Sequence, residues 1–153
     1  MQLIGMINNR QIYYSNIRKD MDWFQKLPFG NWCAFTIADD EDIELIDFVV
    51  AKCIDNQVVY TCSSGKLAEY TEDFFDEKIV NGGIFLEDKT GEPYNYEQSP
   101  ITTMHKNFSE GFWFSTVLAY SENKDISKVV CIDLTIRGVK NRIVKLIEKI
   151  NIG

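Results

Sequence analysis

The sequence predicts an α/β fold, a three-layer sandwich with a mainly parallel central sheet. Three observations predict it. Short apolar runs suited to buried strands alternate with segments of helical periodicity. Gly, Asn, Ser and Pro residues punctuate the boundaries between them. A chain of 153 residues with 45% hydrophobic and 25% charged side chains suits one packed domain, residues 1–153, rather than a disordered segment.

Residues 1–31 are the least constrained and read as an N-terminal extension or a hairpin. Leu3 to Ile7 and Gln11 to Tyr14 flank Asn8, Asn9 and Arg10, which suit a tight turn, and Pro28 and Gly30 then break the chain. Trp32 to Ala38 reads as a buried strand. Asp39 or Asp40 can cap a helix to about Asp55, whose Ile43, Ile46, Val50, Cys53 and Ile54 recur at helical spacing.

Val58 to Cys62 reads as a second strand, with Ser63, Ser64 and Gly65 as the turn after it. Lys66 to Val80 then spaces Leu67, Tyr70, Phe74 and Ile79 about one turn apart among acidic residues, an amphipathic acidic helix that Asn81, Gly82 and Gly83 are expected to end. Glu87 to Pro100, with Gly91, Pro93 and Pro100, reads as a long loop.

Ile101 to Met104 reads as a short strand. Asn107 and Glu110 form a capping arrangement for a helix from Phe108 to Tyr120, whose run of aromatic and aliphatic residues predicts a nearly buried helix. Lys128 to Thr135 is a further strand, and Ile136, Val139, Ile143, Ile147 and Ile150 mark a C-terminal amphipathic helix.

Composition narrows the chemistry. His105 is the one histidine, so multi-histidine metal sites and two-histidine acid/base mechanisms cannot be assembled within one copy. Cys33, Cys53, Cys62 and Cys131 each lie inside an apolar segment and form no CxxC pair, which suits buried free thiols. No tightly bound metal or cofactor is therefore expected; weak magnesium binding at Asp39 and Asp40 is the exception. No apolar run reaches the length of a membrane span, and the first residues lack the apolar stretch of a signal peptide, so the expected compartment is the cytoplasm.

Charge is unevenly distributed. Between Asp39 and Glu97 sixteen acidic residues face four lysines, whereas from Ser121 onward seven basic residues face four acidic ones. The acidic stretch suits a solvated face, or a docking surface for a basic protein partner that electrostatic steering would speed to its site. It opposes direct nucleic-acid binding, which needs the other sign. The candidate partner-binding residues are Glu69, Glu72, Asp73, Asp76, Glu77, Glu87 and Asp88.

Two short strings carry little. Ser63 to Lys66 has the SxxK spacing of acyl-serine enzymes but no SDN or KTG string follows, and Gly65–Lys66 lacks the upstream glycine of a phosphate-binding loop. Both read as a strand-to-helix turn.

Two longer resemblances cover more of the chain. Ala38, Asp39, Asp40 and Glu41 after a strand, followed by a helix, a strand and Ser63–Gly65, resemble the opening of a response-regulator receiver domain, in which paired acids bind magnesium. The resemblance spans only about residues 33 to 70; no acceptor aspartate before a Pro/Gly-rich loop and no closing lysine-proline follow. From Trp32 to Thr135 the chain also resembles an uncharacterised family of small bacterial α/β domains. That likeness is carried by Ile37–Asp39, Val59–Gly65, Asp73 and Asp76, and above all Thr102, Thr103, Met104 and His105 ahead of Glu110, Phe112, Trp113 and Phe114. Met104 replaces a tryptophan and Ser63–Gly65 an alanine-tryptophan-glycine turn. The resemblance implies a fold and brings no established activity.

His105 can act as a general acid/base with Asp73, Asp76 or Glu110, or hold the turn into the following helix; without a nucleophile at defined spacing the structural role is expected. Small size, acidity, abundant aromatics and the missing catalytic set point to an inhibitor of immunity or antitoxin type that neutralises a basic, nuclease-like toxin. The alternatives are a small enzyme using His105 with Asp73 or Asp76, and a receiver-like regulatory domain.

Overall fold

The computed structural model describes residues 1–153. Strand β1 (Gln2–Ile7) turns into β2 (Arg10–Asn16) through Asn8 and Asn9, both at positive φ, the conformation that a two-residue hairpin turn of matching twist demands. The hairpin is no appendage. β2 pairs in parallel with the last strand, and the sheet order is β1-β2-β6-β3-β4-β5, with β3 (Trp32–Ile37), β4 (Tyr60–Ser64), β5 (Ile101–Met104) and β6 (Lys128–Asp133). Five strands run parallel and only β1 is reversed.

Helices cover both faces, as a parallel sheet requires. On one face Ile46, Val49, Val50 and Cys53 of α1 (Ile43–Asp55) and Phe75 of α2 (Ala68–Thr90) pack on Trp32, Ala34, Val130 and Ile132, together with Trp23 and Leu27 from the segment after β2. On the other face Phe112 of α3 (Phe108–Trp113) and Ile143 and Ile147 of α4 (Lys140–Ile152) pack on Ile12, Cys33, Phe35, Val129 and Cys131. The expected three-layer α/β architecture is therefore present. No helix is long and apolar enough to cross a membrane.

Several boundaries differ from the sequence reading. Ser63 and Ser64 belong to β4, and the turn starts at Gly65, whose φ of +89° and close approach to the Ala38 carbonyl leave no room for a Cβ. Helix α2 does not stop at Asn81–Gly83. Gly83 is buried where the Tyr96 ring crosses the helix, so the glycine serves close packing and the helix continues to Thr90, ending at Gly91 with φ +75°. The expected loop from Glu87 accordingly loses its first turn to α2, and a short 3-10 turn occupies Tyr96–Gln98.

Helix α3 is shorter than predicted. It passes into a π-helical turn, Phe114–Leu118, closed by Ala119 N–H donating to the Phe114 carbonyl at 2.8 Å, while the Ser115 and Thr116 hydroxyls bond back to the Phe112 carbonyl at 2.8 and 2.9 Å. Only one side of this segment is covered: Phe112, Ser115 and Thr116 are buried, whereas Trp113, Leu118 and Tyr120 are exposed, so the expectation of a helix buried nearly all round is corrected. Helix α4 begins at Lys140 rather than near Ile136, because the Asp133 carboxylate accepts from Thr135 N–H, Thr135 Oγ1 and Val139 N–H and so holds the intervening turn.

Candidate functional site

Helix α2 presents most of the predicted partner-binding residues. Ala68, Thr71, Phe75 and Gly83 form its buried side. The 3.6-residue period therefore turns Glu69, Asp73, Glu77, Val80, Ile84 and Asp88 to the outside, where all are exposed. None of its four outward carboxylates has an ion-pair or hydrogen-bond partner within the protein. Val80 and Ile84, both exposed, form an apolar centre among them, while Phe85 lies on a different side of the helix beneath the Lys89 ammonium.

The other three predicted residues have neighbours within the protein, Asp76 while still exposed. Asp76 accepts from the Thr102 hydroxyl of β5 at 2.5 Å, and Glu87 accepts from Tyr94 N–H at 2.9 Å, fastening the chain beyond the helix. Glu72 is half-buried; burial first, then the neighbouring Asp76 and Asp73, raise its carboxyl above the usual range. The apolar centre was invisible at the sequence level because the helix was expected to end at Gly82–Gly83; the run Ile84-Phe85-Leu86 was the signal that it continued.

His105 extends the β5 ladder, donating its N–H to the Ser63 carbonyl at 2.9 Å. Its Nε2 lies 3.0 Å from Thr103 Oγ1, its ring centroid is 4.9 Å from that of Phe114, and Gly111 packs on its Cβ. Neither Asp73 nor Asp76 hydrogen-bonds to it. Its main neighbour is instead Cys62, which raises the imidazole pKa above the ordinary value, with Glu110 and Glu72 adding at longer range. Sequence spacing gave no sign of this pairing, since Cys62 and His105 meet only because β4 and β5 are adjacent.

Three thiols, Cys33, Cys62 and Cys131, share this face of the sheet. Burial and the Cys62 thiol beside it push Cys33 well above the thiol range, whereas Cys33 first, then His105 and Thr103, draw Cys62 down against its own burial. The residue types are those of a cysteine nucleophile with its base. Access decides otherwise, because Cys62 is 0% exposed beneath α3 and the π turn. The arrangement is a closed polar knot within an apolar core.

Asp39 and Asp40, the candidate magnesium residues, lie beyond β3. Asp39 accepts from Lys66 N–H at 3.2 Å and donates its own N–H to Asp42 Oδ2 at 2.8 Å, while Asp40 lies 3.7 Å from the Lys66 ammonium. They serve the start of α1 and the turn into α2, and no group of three or more His, Cys, Asp or Glu side chains is placed to hold a metal ion.

Fold and surface define a small, mostly parallel α/β domain whose most distinctive exposed element is one long acidic helix. The chain belongs to the family described as a domain of unknown function (DUF7684), which it matches over residues 12–150. No curated protein and no solved structure matches it.

Proposed function

We propose that the protein is a protein-binding inhibitor of the immunity or antitoxin type, docking a basic toxin on the outward face of α2. The observation that carries this reading is the composition of that face: Val80 and Ile84 at its centre, with unpaired Glu69, Asp73, Glu77 and Asp88 around them. An apolar anchor within a charged rim is the anatomy of a specific interface, and a row of carboxylates can occupy the cationic cleft in which a nuclease holds phosphates. Mutual repulsion along the helix costs stability in the free protein and is relieved by a cationic partner.

The enzymatic alternative draws support only from the residue types around His105. It has no open nucleophile, and Asp73 and Asp76 point elsewhere. The receiver-like reading has Asp39 and Asp40 at the end of β3, but β6 stands between β2 and β3, unlike the order of a flavodoxin-like sheet.

Co-expression with the basic product of an adjacent gene, scored by growth rescue and by association kinetics of the purified pair, tests the proposal. Asp73→Lys with Glu77→Lys should slow association and flatten its salt dependence, and Ile84→Ala should speed dissociation. Rescue and kinetics unchanged by all three substitutions would refute it.

A further inference from the structure

Across the sheet from α2, the structure places a second surface of opposite sign. A cleft of about 340 Å³ opens beyond the carboxyl ends of β2 and β6, and Lys19, Arg137, Lys140 and Arg142 line it together with Asn16 and Asn141. Its volume lies within the ordinary range for small-molecule sites, roughly 300–1,000 Å³. In a chain of net charge −7 this is a concentration of cations with no carboxylate exposed among them.

The topology opens a crevice at this place. The segment after β2 crosses to the face covered by α1 and α2, as Ile17, Trp23 and Leu27 show, whereas the segment after β6 crosses to the opposite face, where Ile143 and Ile147 of α4 pack. Parallel neighbours whose connections leave toward opposite faces form a switch point, and the space outside their carboxyl ends is where open α/β sheets bind ligands.

The floor is prepared for an anion rather than a cation. Asp133 is fully buried and both its oxygens are occupied, Oδ1 by Thr135 and Oδ2 by the Tyr14 hydroxyl and Val139 N–H, so its charge is enclosed. Asp20, toward the outer end of the cleft, is engaged by the Met1 ammonium and by Lys26 at 3.1 Å. Lys140 also reaches Gln2 Oε1 at 2.6 Å and the Arg142 guanidinium lies 4.1 Å from the Phe108 ring centroid, which leaves Lys19 and Arg137 with no side-chain partner. Val139 supplies no side-chain cap, so the first N–H groups of α4 face the same space.

We infer that this cleft binds a small phosphate-bearing ligand, with Lys19 and Arg137 as its principal charge contacts and Asn141 as a neutral one, Asn16 being held in the floor by the Thr135 carbonyl and Arg18 N–H. Paired cations with an amide donor suit the several acceptor oxygens of a phosphate better than a single carboxylate. The site is separate from α2 and stands whether or not that helix docks a partner.

Inorganic pyrophosphate is the probe, titrated calorimetrically against the intact protein at fixed ionic strength. The wild type should bind it in the millimolar range or tighter, and Lys19→Glu with Arg137→Glu should weaken binding by at least about tenfold, as loss of two charge-assisted contacts implies. Both residues are exposed, so the double variant should keep its circular dichroism spectrum and melting profile. Lys124→Glu and Lys145→Glu, outside the cleft, should bind as the wild type does. Absence of binding, or equal weakening by both pairs of substitutions, would overturn the assignment. So would a single-stranded oligonucleotide that binds far more tightly than pyrophosphate and is lost in the same double variant, because the cleft would then be part of a nucleic-acid surface.

Discussion

Arg18 Nη2 donates to Asp42 Oδ1 at 2.7 Å, and the same guanidinium donates through Nε to the Leu134 carbonyl at 2.7 Å. One side chain thus ties the exits of β2 and β6 to the turn that starts α1. The Asp42 side chain is 1% exposed, and its second oxygen accepts from Asp39 N–H. Arg18→Met should therefore cost about 1–2 kcal/mol, since it leaves the buried Asp42 carboxylate without its charged partner while solvent screens the partly exposed arginine end of the pair. Urea denaturation of Arg18→Met and of Arg18→Met/Asp42→Asn checks this; the double variant should recover part of the loss.

Phe112 is fully buried, with its ring centroid 5.6 Å from that of Phe35. Phe112→Ala should cost about 3–5 kcal/mol. Trp113→Ala, one residue on but exposed, should cost far less, and equal losses in denaturation midpoint would contradict the one-sided burial of this segment.

Thr36, Thr61 and Ser63 place buried hydroxyls on the α2 face of the sheet, and none has a hydrogen-bond partner within the protein. Thr61→Val keeps the shape and removes an unsatisfied polar group, so it should raise stability by about 1 kcal/mol. A lower melting temperature in Thr61→Val would show that the hydroxyl is satisfied in solution.

Glu72 supplies a pH dependence. Its carboxyl pKa is raised in the folded state, by burial first and then by Asp76 and Asp73, so the native protein holds a proton that the unfolded chain releases at lower pH. Stability from this group is full below the ordinary glutamate pKa of about 4.3 and falls as pH rises through the native value. Glu72→Gln should therefore raise the melting temperature at pH 7 and leave it nearly unchanged at pH 3.5; equal shifts at both would show that charge is not the cause.

The strands β3 and β6 and the helix α1 were legible nearly to the residue, because each is rich in apolar residues at one clear period. Helix α2 was legible for its first half only. Gly82–Gly83 is a stop signal in isolation, and only the Tyr96 ring arriving from the following loop gives the glycine a packing role. The candidate site divided in the same way: Glu69, Asp73, Glu77 and Val80 follow from helical period, while Ile84 and Asp88 join that face only because the helix continues.

What the sequence determined by itself was local: the alternation of strand and helix, the acidic helix, a turn at Asn8–Asn9 open between a hairpin and an extension, and the lack of material for a multi-histidine site. These depend on neighbours a few residues apart, where periodicity and turn chemistry act. Tertiary structure decided which distant residues meet. Strand order put β6 between β2 and β3, set Cys62 beside His105, enclosed Asp133 and gathered Lys19 with Arg137 around one cleft. Strand pairing is a long-range choice settled by packing of both sheet faces at once, and no spacing along the chain encodes it.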